Sequence, residues 1–312
     1  MKNILSFILI LLLANSAVPQ EFKKNATSGF TFLTIPITAR TAGLSEASIA
    51  LTDNGSNSIF VNPAGLGFSE TPHSLALSYS SYIAEINHYA FSYAFNSDIG
   101  VISVGMMQMD FGEMSRTVKS SGQKFFEETG KFGASGTAVF AGYSRRLTDK
   151  FAFGLAVKYV KESIDSYSAD NFLLDGGVLY LTGLSSLRIA ATINNFGTDS
   201  KYLNDPFKMP SSIRLGAASE VYGTMESDLR VTLIAEAVHP NDGDERLNTG
   251  VEIGYNKMFF LRGGYKFFYD EETYSVGIGF NSDFSQTISA DFSYADYGRL
   301  GGTLRFSLQY GL

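Results

Sequence analysis

Three histidines, two pairs of adjacent carboxylates and one acidic loop are the residues whose types could support chemistry. A side-chain nucleophile needs a base within hydrogen-bond reach and a third group to orient that base. His73 stands at the start of an alternating segment, His88 in the connection or strand after it, and His239 just before Pro240. None lies in a nucleophile or zinc motif, so each reads as an interfacial or loop residue. Glu127-Glu128 and Glu271-Glu272 fall in expected loops, where solvated charge is the default. Asn241-Asp242-Gly243-Asp244-Glu245 has the composition of a cation loop without the spaced ligand register of one. The Gly277-x-Gly279 pattern sits within a strand-like run, so it is not a phosphate loop. The absence of cysteine excludes a disulfide scaffold, a thiolate site and a lipid-modified N-terminal cysteine. The expectation is a non-enzymatic protein with no catalytic residues, no metal and no cofactor.

The elements around these residues point to a wall and not to a catalytic pocket. A net charge of −7 lacks the basic footprint that nucleic-acid binding requires. The chain carries 31 Gly, 26 Phe and 17 Tyr, only 7 Pro and no Trp, with mean hydropathy near zero. It opens on Lys2 and an apolar run from Ile4 to Leu13 broken only by Ser6. Ala14, Ser16 and Ala17 follow as small residues for cleavage, so 1–17 reads as a secretory signal peptide. The run is too short to span about 30 Å of hydrocarbon as a helix.

Period-2 alternation begins near Ser74 and continues to the end. In 303–312, Leu304, Phe306, Leu308, Tyr310 and Leu312 alternate with polar or small residues. Such a strand shows apolar groups to one side and polar groups to the other. Segments of this kind fall at 73–81, 87–96, 99–109, 135–147, 150–164, 171–182, 186–196, 211–221, 228–238, 246–256, 258–268, 273–281, 286–295 and 302–312. About fourteen strands, an even number, fit a transmembrane antiparallel β-barrel. Connections after the even strands are short, whereas 110–134 and 197–210 after odd strands are the longest. Short turns at one end and long loops at the other follow from outer-membrane barrel topology. A lipid-facing row must avoid charge, since Arg or Lys at the midplane costs roughly 2–4 kcal/mol. Arg188, Arg230, Glu236, Glu252, Asp291 and Arg305 all fall on the opposite, lumen-facing row. Arg145 and Lys161 continue bulky rows only near strand ends, where long side chains reach water. The fold class is all-β: a signal peptide at 1–17, a small N-terminal plug at 18–72, and an outer-membrane barrel at 73–312.

Before the barrel, residues 36–68 carry Ala-Arg-x-x-Gly-Leu at 39–44, a spacer with Ala50, Asp53 and Phe60, and Asn62-Pro63-Ala64-Gly65-Leu66. Here, and at Tyr82-Ile83-Ala84-Glu85-Ile86-Asn87, the chain resembles the PorV/PorQ family of outer-membrane proteins, relatives of the FadL transporters. The resemblance implies that Arg40, Gly43, Asp53, Asn62, Pro63, Ala64, Gly65 and Leu66 belong to a plug inside the barrel. Asn62-Pro63 would set a turn, and Gly65 would take backbone positions closed to other residues. Arg40 and Asp53 would pair with lumen charges such as Glu252 or Arg305. Leu312 departs from the terminal aromatic that often ends such barrels.

Two functions of different class follow. The resemblance implies an accessory of type IX secretion, binding the C-terminal domain of secreted cargo or a cell-surface protein. Its contact regions would be loops such as 110–134 and 197–210, and in the first Arg116, Lys119, Phe125, Phe126 and Phe132 combine charge with aromatic anchors. The alternative is a FadL-like transporter carrying a small hydrophobic ligand through the lumen. The motif places the accessory role first. An apolar pocket lined by plug residues would favour transport.

Overall fold

The computed structural model describes residues 27–120, 122, 125–282 and 287–312. The signal-peptide expectation at 1–17 lies outside them. Strand β1 is His73–Ser81, β2 Asn87–Ser97, β3 Gly100–Lys119, β4 Phe126–Thr148, β5 Phe151–Ile164, β6 Tyr167–Leu181 and β7 Arg188–Phe196. Two short strands, β8 (Ser200–Lys201) and β9 (Pro206–Phe207), pair with each other in the next connection. Then come β10 Ser212–Tyr222, β11 Leu229–Pro240, β12 Arg246–Tyr255, β13 Phe259–Phe267, β14 Tyr274–Asn281, β15 Thr287–Asp296 and β16 Gly302–Gly311. Apart from β8 and β9, fourteen strands form one closed barrel in sequence order. Its seam is the antiparallel pairing of β1 with β16, which sets Leu77 opposite Leu308 and Tyr79 opposite Phe306.

Closure leaves no free edge along the wall and satisfies every strand's backbone within it, the condition for crossing a bilayer with strands. The bulky row of each strand points outward: Leu77 is 50% exposed, Ile278 59% and Leu215 58%. A large apolar surface held half-exposed around a closed wall is a lipid-facing belt. Arg145 and Lys161 are exposed on that side, as expected for residues near strand ends.

The two ends differ. At the turn end, β2–β3 and β4–β5 are joined by 98–99 and 149–150, and the His73 amide bonds the Leu312 carbonyl at 3.3 Å. At the loop end lie 82–86, 197–211, 241–245, 268–273 and 297–301. One connection there, 165–166, is only a tight turn, with Asp165 at φ 57°.

Segment 110–134 is not a loop. β3 and β4 continue past the wall as a two-stranded ribbon, with Met114 opposite Phe132 and Lys119 opposite Phe126. A bulge between Asp110 and Glu113, with Gly112 at φ +72°, starts the ribbon and bends it. Alternation weakens there because the ribbon has no lipid-facing side to keep apolar.

Residues 27–72 run inside the barrel, as short helical turns against the inward rows. They include the helix Ala39–Gly43, capped by the Thr38 hydroxyl, which accepts from the Thr41 amide at 3.2 Å. The 3-10 turn Pro63–Phe68 is capped by Asn62. The lumen has two unlike arcs. On β3–β6 the inward residues are mainly apolar, among them Met107, Met109, Phe140, Val160 and Leu173, packed with Phe30, Phe32, Ile37, Ile59 and Leu66. On β10–β16 buried charges, among them Glu220, Arg230, Glu236, Glu252, Arg262 and Arg305, stand among small and uncharged polar residues.

Candidate functional site

The inner segment is tied to the charged arc through Arg40. Its Nε and Nη2 each donate to one Glu252 carboxylate oxygen at 3.0 Å, a two-pronged pair. Nη2 also meets Asp53 Oδ1 at 3.0 Å, and Nη1 donates to the Asp53 carbonyl and to Asn54 Oδ1. Glu252 further accepts from Arg230 Nη2 at 2.9 Å and Arg262 Nε at 2.7 Å, and Arg262 reaches Asp291 at 2.5 Å. Burial alone would raise the Asp53 carboxyl; Arg40 and then Arg230 outweigh it and hold it well below the usual carboxylate range. The same cluster raises Arg40 despite its burial, through Asp53 and Glu252. Of the two wall partners expected, Glu252 is engaged. Arg305 is not: it donates to the Pro36 carbonyl and Thr303, and lies under the Tyr82 ring. Its strand holds it beside the 36–37 backbone, away from Asp53.

The remaining motif residues build the turn. Asn62 accepts from the Ala64 amide at 3.0 Å and donates to the Ile49 carbonyl at 2.9 Å. Pro63 lies so close to Gly154 that a Cβ there would overlap the Pro63 carbonyl carbon. Leu66 is fully buried. Gly43 faces Gly277, with room for about a Cβ and no more: one built at Gly43 would sit 3.2 Å from the Gly277 Cα. Gly65 differs from expectation. It has no positive φ, and its constraint is proximity, since a Cβ would stand 3.0 Å from Ser58 Oγ.

Above the segment, towards the loop end, lies a cavity of about 290 Å³. One wall is apolar: Leu33, Ile35 and Phe60 of the inner segment with Met107 and Phe140 of the barrel. Phe60 and Phe140 meet edge-to-face at 5.1 Å. Polar groups complete the lining: Lys158, opposite Phe140 in the β4–β5 register, pairs with Asp175 at 2.8 Å beside the Phe140 ring, and Arg214 on β10 pairs with Glu236. Tyr82, Tyr269 and Tyr297 border the mouth. Tyr269 carries Arg246 and Lys266 over its ring, each at 4.7 Å. Burial, with Glu46 nearby, pushes the Tyr269 hydroxyl up to about 12, so it remains a neutral donor at physiological pH. A cavity with an apolar wall and hydrogen-bonding groups in its lining suits a small molecule with an apolar body, near the lower end of the usual ligand-pocket volume.

The ribbon residues are set apart from this cavity. Arg116 pairs with Asp165 at 2.5 Å and stacks over Phe132 at 5.8 Å. Phe125, 95% exposed, and Phe126 stand at the tip with Lys119 opposite Phe126. The histidines serve different settings. His73 bonds the Tyr93 hydroxyl at 2.8 Å, and exposed His239 meets Glu245. His88 is no interfacial residue: it is 2% exposed on the inward row of β2, because the strand begins at Asn87 and its alternation turns His88 inward.

Sequence reasoning missed Met107, Phe140, Lys158 and Asp175 as cavity residues. On β3 both rows are apolar, Val101, Met107 and Met109 against Ile102, Val104 and Met106, so the period does not reveal which row faces inward. Lys158 and Asp175 carried a usable signal, as charges on rows opposite the bulky residues of adjacent strands.

No family model and no curated protein matches the chain. Solved structures do. The Pseudomonas putida toluene transporter TodX aligns at 14% identity over 88% of this chain and 97% of its own, with a TM-score of 0.61. The Ralstonia pickettii toluene transporter TbuX aligns at 15% identity over 88% and 97%, at 0.57. The CymD monoaromatic hydrocarbon channel aligns at 10% identity over 91% and 98%, at 0.58. These neighbours are transporters and channels, and the PorV/PorQ likeness rests on the motifs of the sequence alone. The chain is a closed fourteen-stranded antiparallel barrel similar in fold to these outer-membrane structures, its lumen occupied by its own N-terminal segment.

Proposed function

We propose that the protein is an outer-membrane channel for small solutes with an apolar body, in which residues 27–72 act as the plug. The observation that carries this reading is the lumenal cavity, walled by plug residues Leu33, Ile35 and Phe60 against Met107 and Phe140. Burying a small aromatic or aliphatic body against that wall is favourable by about 25 cal/mol per Å² of apolar surface. The polar groups of Lys158, Asp175, Asn195 and Arg214 would orient a polar substituent. The fold shared with hydrocarbon transporters supports the same direction. This reverses the order suggested by the sequence motif, which set secretion first.

Partner binding keeps one specific support. The β3–β4 ribbon projects beyond the wall with Phe125 and Phe126 at its tip, and an exposed aromatic pair of this kind can anchor a surface protein.

The chain has no tryptophan, so Phe140→Trp places a single fluorophore on the cavity wall. Saturable change of its emission on titrating toluene is the expected result. Unchanged emission, with the variant folded, would remove the cavity as the binding site.

A further inference from the structure

The charged arc is interrupted at one level. In register across β10–β14 run Ala218, Ile234, Gly250, Gly264 and Ser275, all inward and none charged. The next inward row towards the loop end is Gly216, Glu236, Asn248 and Lys266. The next towards the turn end is Glu220, Thr232, Glu252 and Arg262. A polar file thus descends from the cavity and another rises from the turn end, with a single uncharged row between them.

The plug seats its apolar residues on that row. Leu44 is fully buried against the two glycines: a Cβ on Gly250 would be 3.3 Å from Leu44 Cβ, and one on Gly264 only 2.6 Å from its carbonyl carbon. At Gly264 no other residue type leaves room, whereas a Cβ at Gly250 fits once Leu44 gives by a few tenths of an ångström. Immediately after Leu44, Ser45 and Glu46 both hold positive φ, 51° and 67°. Two consecutive non-glycine residues in the left-handed region are strained and persist only where surrounding contacts impose them. Those contacts are polar. Ser45 is held by the Ser275 hydroxyl at 2.9 Å, Glu46 by Lys266 at 2.5 Å, and the Glu46 carbonyl by Arg214 at 3.1 Å. Asn248, on the row directly above, is fully buried with neither amide atom hydrogen-bonded to protein, so this level calls for water or solute.

We infer that the seating of Leu44 in the Gly250–Gly264 notch is the gate of the lumen, closing the charged arc between the cavity and the turn end. A leucine seated on an uncharged row between two wettable rows stops passage along this arc by excluding water. The strained turn at 45–46 supplies a reason for the gate to move: the contacts that Lys266 and Arg214 make with Glu46 hold it shut. The inference rests on the transport reading and deepens it, since it assigns the barrier that a bound solute has to pass.

The test uses the absence of native cysteine. Leu44→Cys with Gly250→Cys creates one pair near the Cβ separation of a disulfide. The full chain is reconstituted in liposomes and planar bilayers, and toluene uptake and potassium chloride conductance are read before and after dithiothreitol. Loss of both in the oxidised form with recovery on reduction is expected. Leu44→Ala should raise conductance, whereas Ile59→Ala, a buried plug residue on the apolar arc, should not. Oxidised protein that passes both probes as freely as reduced protein overturns the gate. So does equal leakage through the two alanine variants, which would mean general loosening of the plug. Salt conductance controlled by the crosslink in the double-cysteine variant, with toluene taken up neither by it nor by the wild type, would sink the transport reading and leave the gate standing.

Discussion

Arg40 and Glu252 are 212 positions apart and meet in a two-pronged ion pair, both contacts at 3.0 Å. This contact fastens the plug to the wall, and because Glu252 is 1% exposed its charge has no recourse to water. Removing one partner of a buried pair typically costs about 3–5 kcal/mol, more than the pair contributes net. Arg40→Ala should therefore expose amides of residues 39–62 to hydrogen exchange while β1–β16 pairing stays protected. Arg40→Met with Glu252→Leu should restore part of the loss, although Arg230 and Arg262 then lack their shared carboxylate. Unaltered exchange in Arg40→Ala would show that apolar packing alone holds the plug.

The pH dependence follows from Asp53. Its carboxyl lies below the ordinary range in the folded state, so its contribution is present above the unfolded value of about 3.9 and fades only as pH falls through the depressed one. Protection of the 39–54 amides, taken relative to intrinsic exchange at each pH, should thus match at pH 7 and pH 5 and fall only in stronger acid. Asp53→Asn should remove that acid step. A step near pH 5 in the native chain would contradict the assignment.

Lys158 and Asp175 pair inside the otherwise apolar arc. Asp175→Ala leaves a buried ammonium and should destabilise the barrel by about 3–5 kcal/mol. Lys158→Met with Asp175→Leu should recover most of that stability and weaken binding of solutes with a polar substituent, leaving toluene binding intact. Denaturant titration and ligand titration separate the two effects.

Replacing 113–131 by a short turn tests the ribbon. Its two strands pair only with each other beyond Asp110, so closure of β1–β16 and the cavity should be untouched. Heat-modifiable mobility and toluene uptake should stay as in the native chain. Capture of a surface protein by the native ribbon and its loss in the shortened chain would bring the partner-binding reading forward.

Much of this architecture is legible in the alternation. Leu304, Phe306 and Leu308 face outward as their period requires, Arg188, Glu236 and Arg305 turn inward, and the strand count agrees with the closed barrel. The pairing of Arg40 with Glu252 was also readable, because a charge in the plug needs an inward charge to meet. What escaped the sequence depends on register. Nothing local sets Gly250 beside Gly264 or Leu44 against both, since that follows from the stagger of β12 on β13. The ribbon escaped because Glu113–Lys119 mixes charge into both rows, and His88 because a single-residue shift of the strand start decides its face.

The most direct test of the account is uptake by the native chain reconstituted in liposomes, comparing toluene with a sugar of similar volume. Saturable entry of toluene, abolished by filling the cavity through Met107→Trp in folded barrels, with no entry of the sugar, is the predicted result. Equal entry of both solutes, or none of either, would contradict a channel whose selectivity resides in the apolar wall of its plugged lumen.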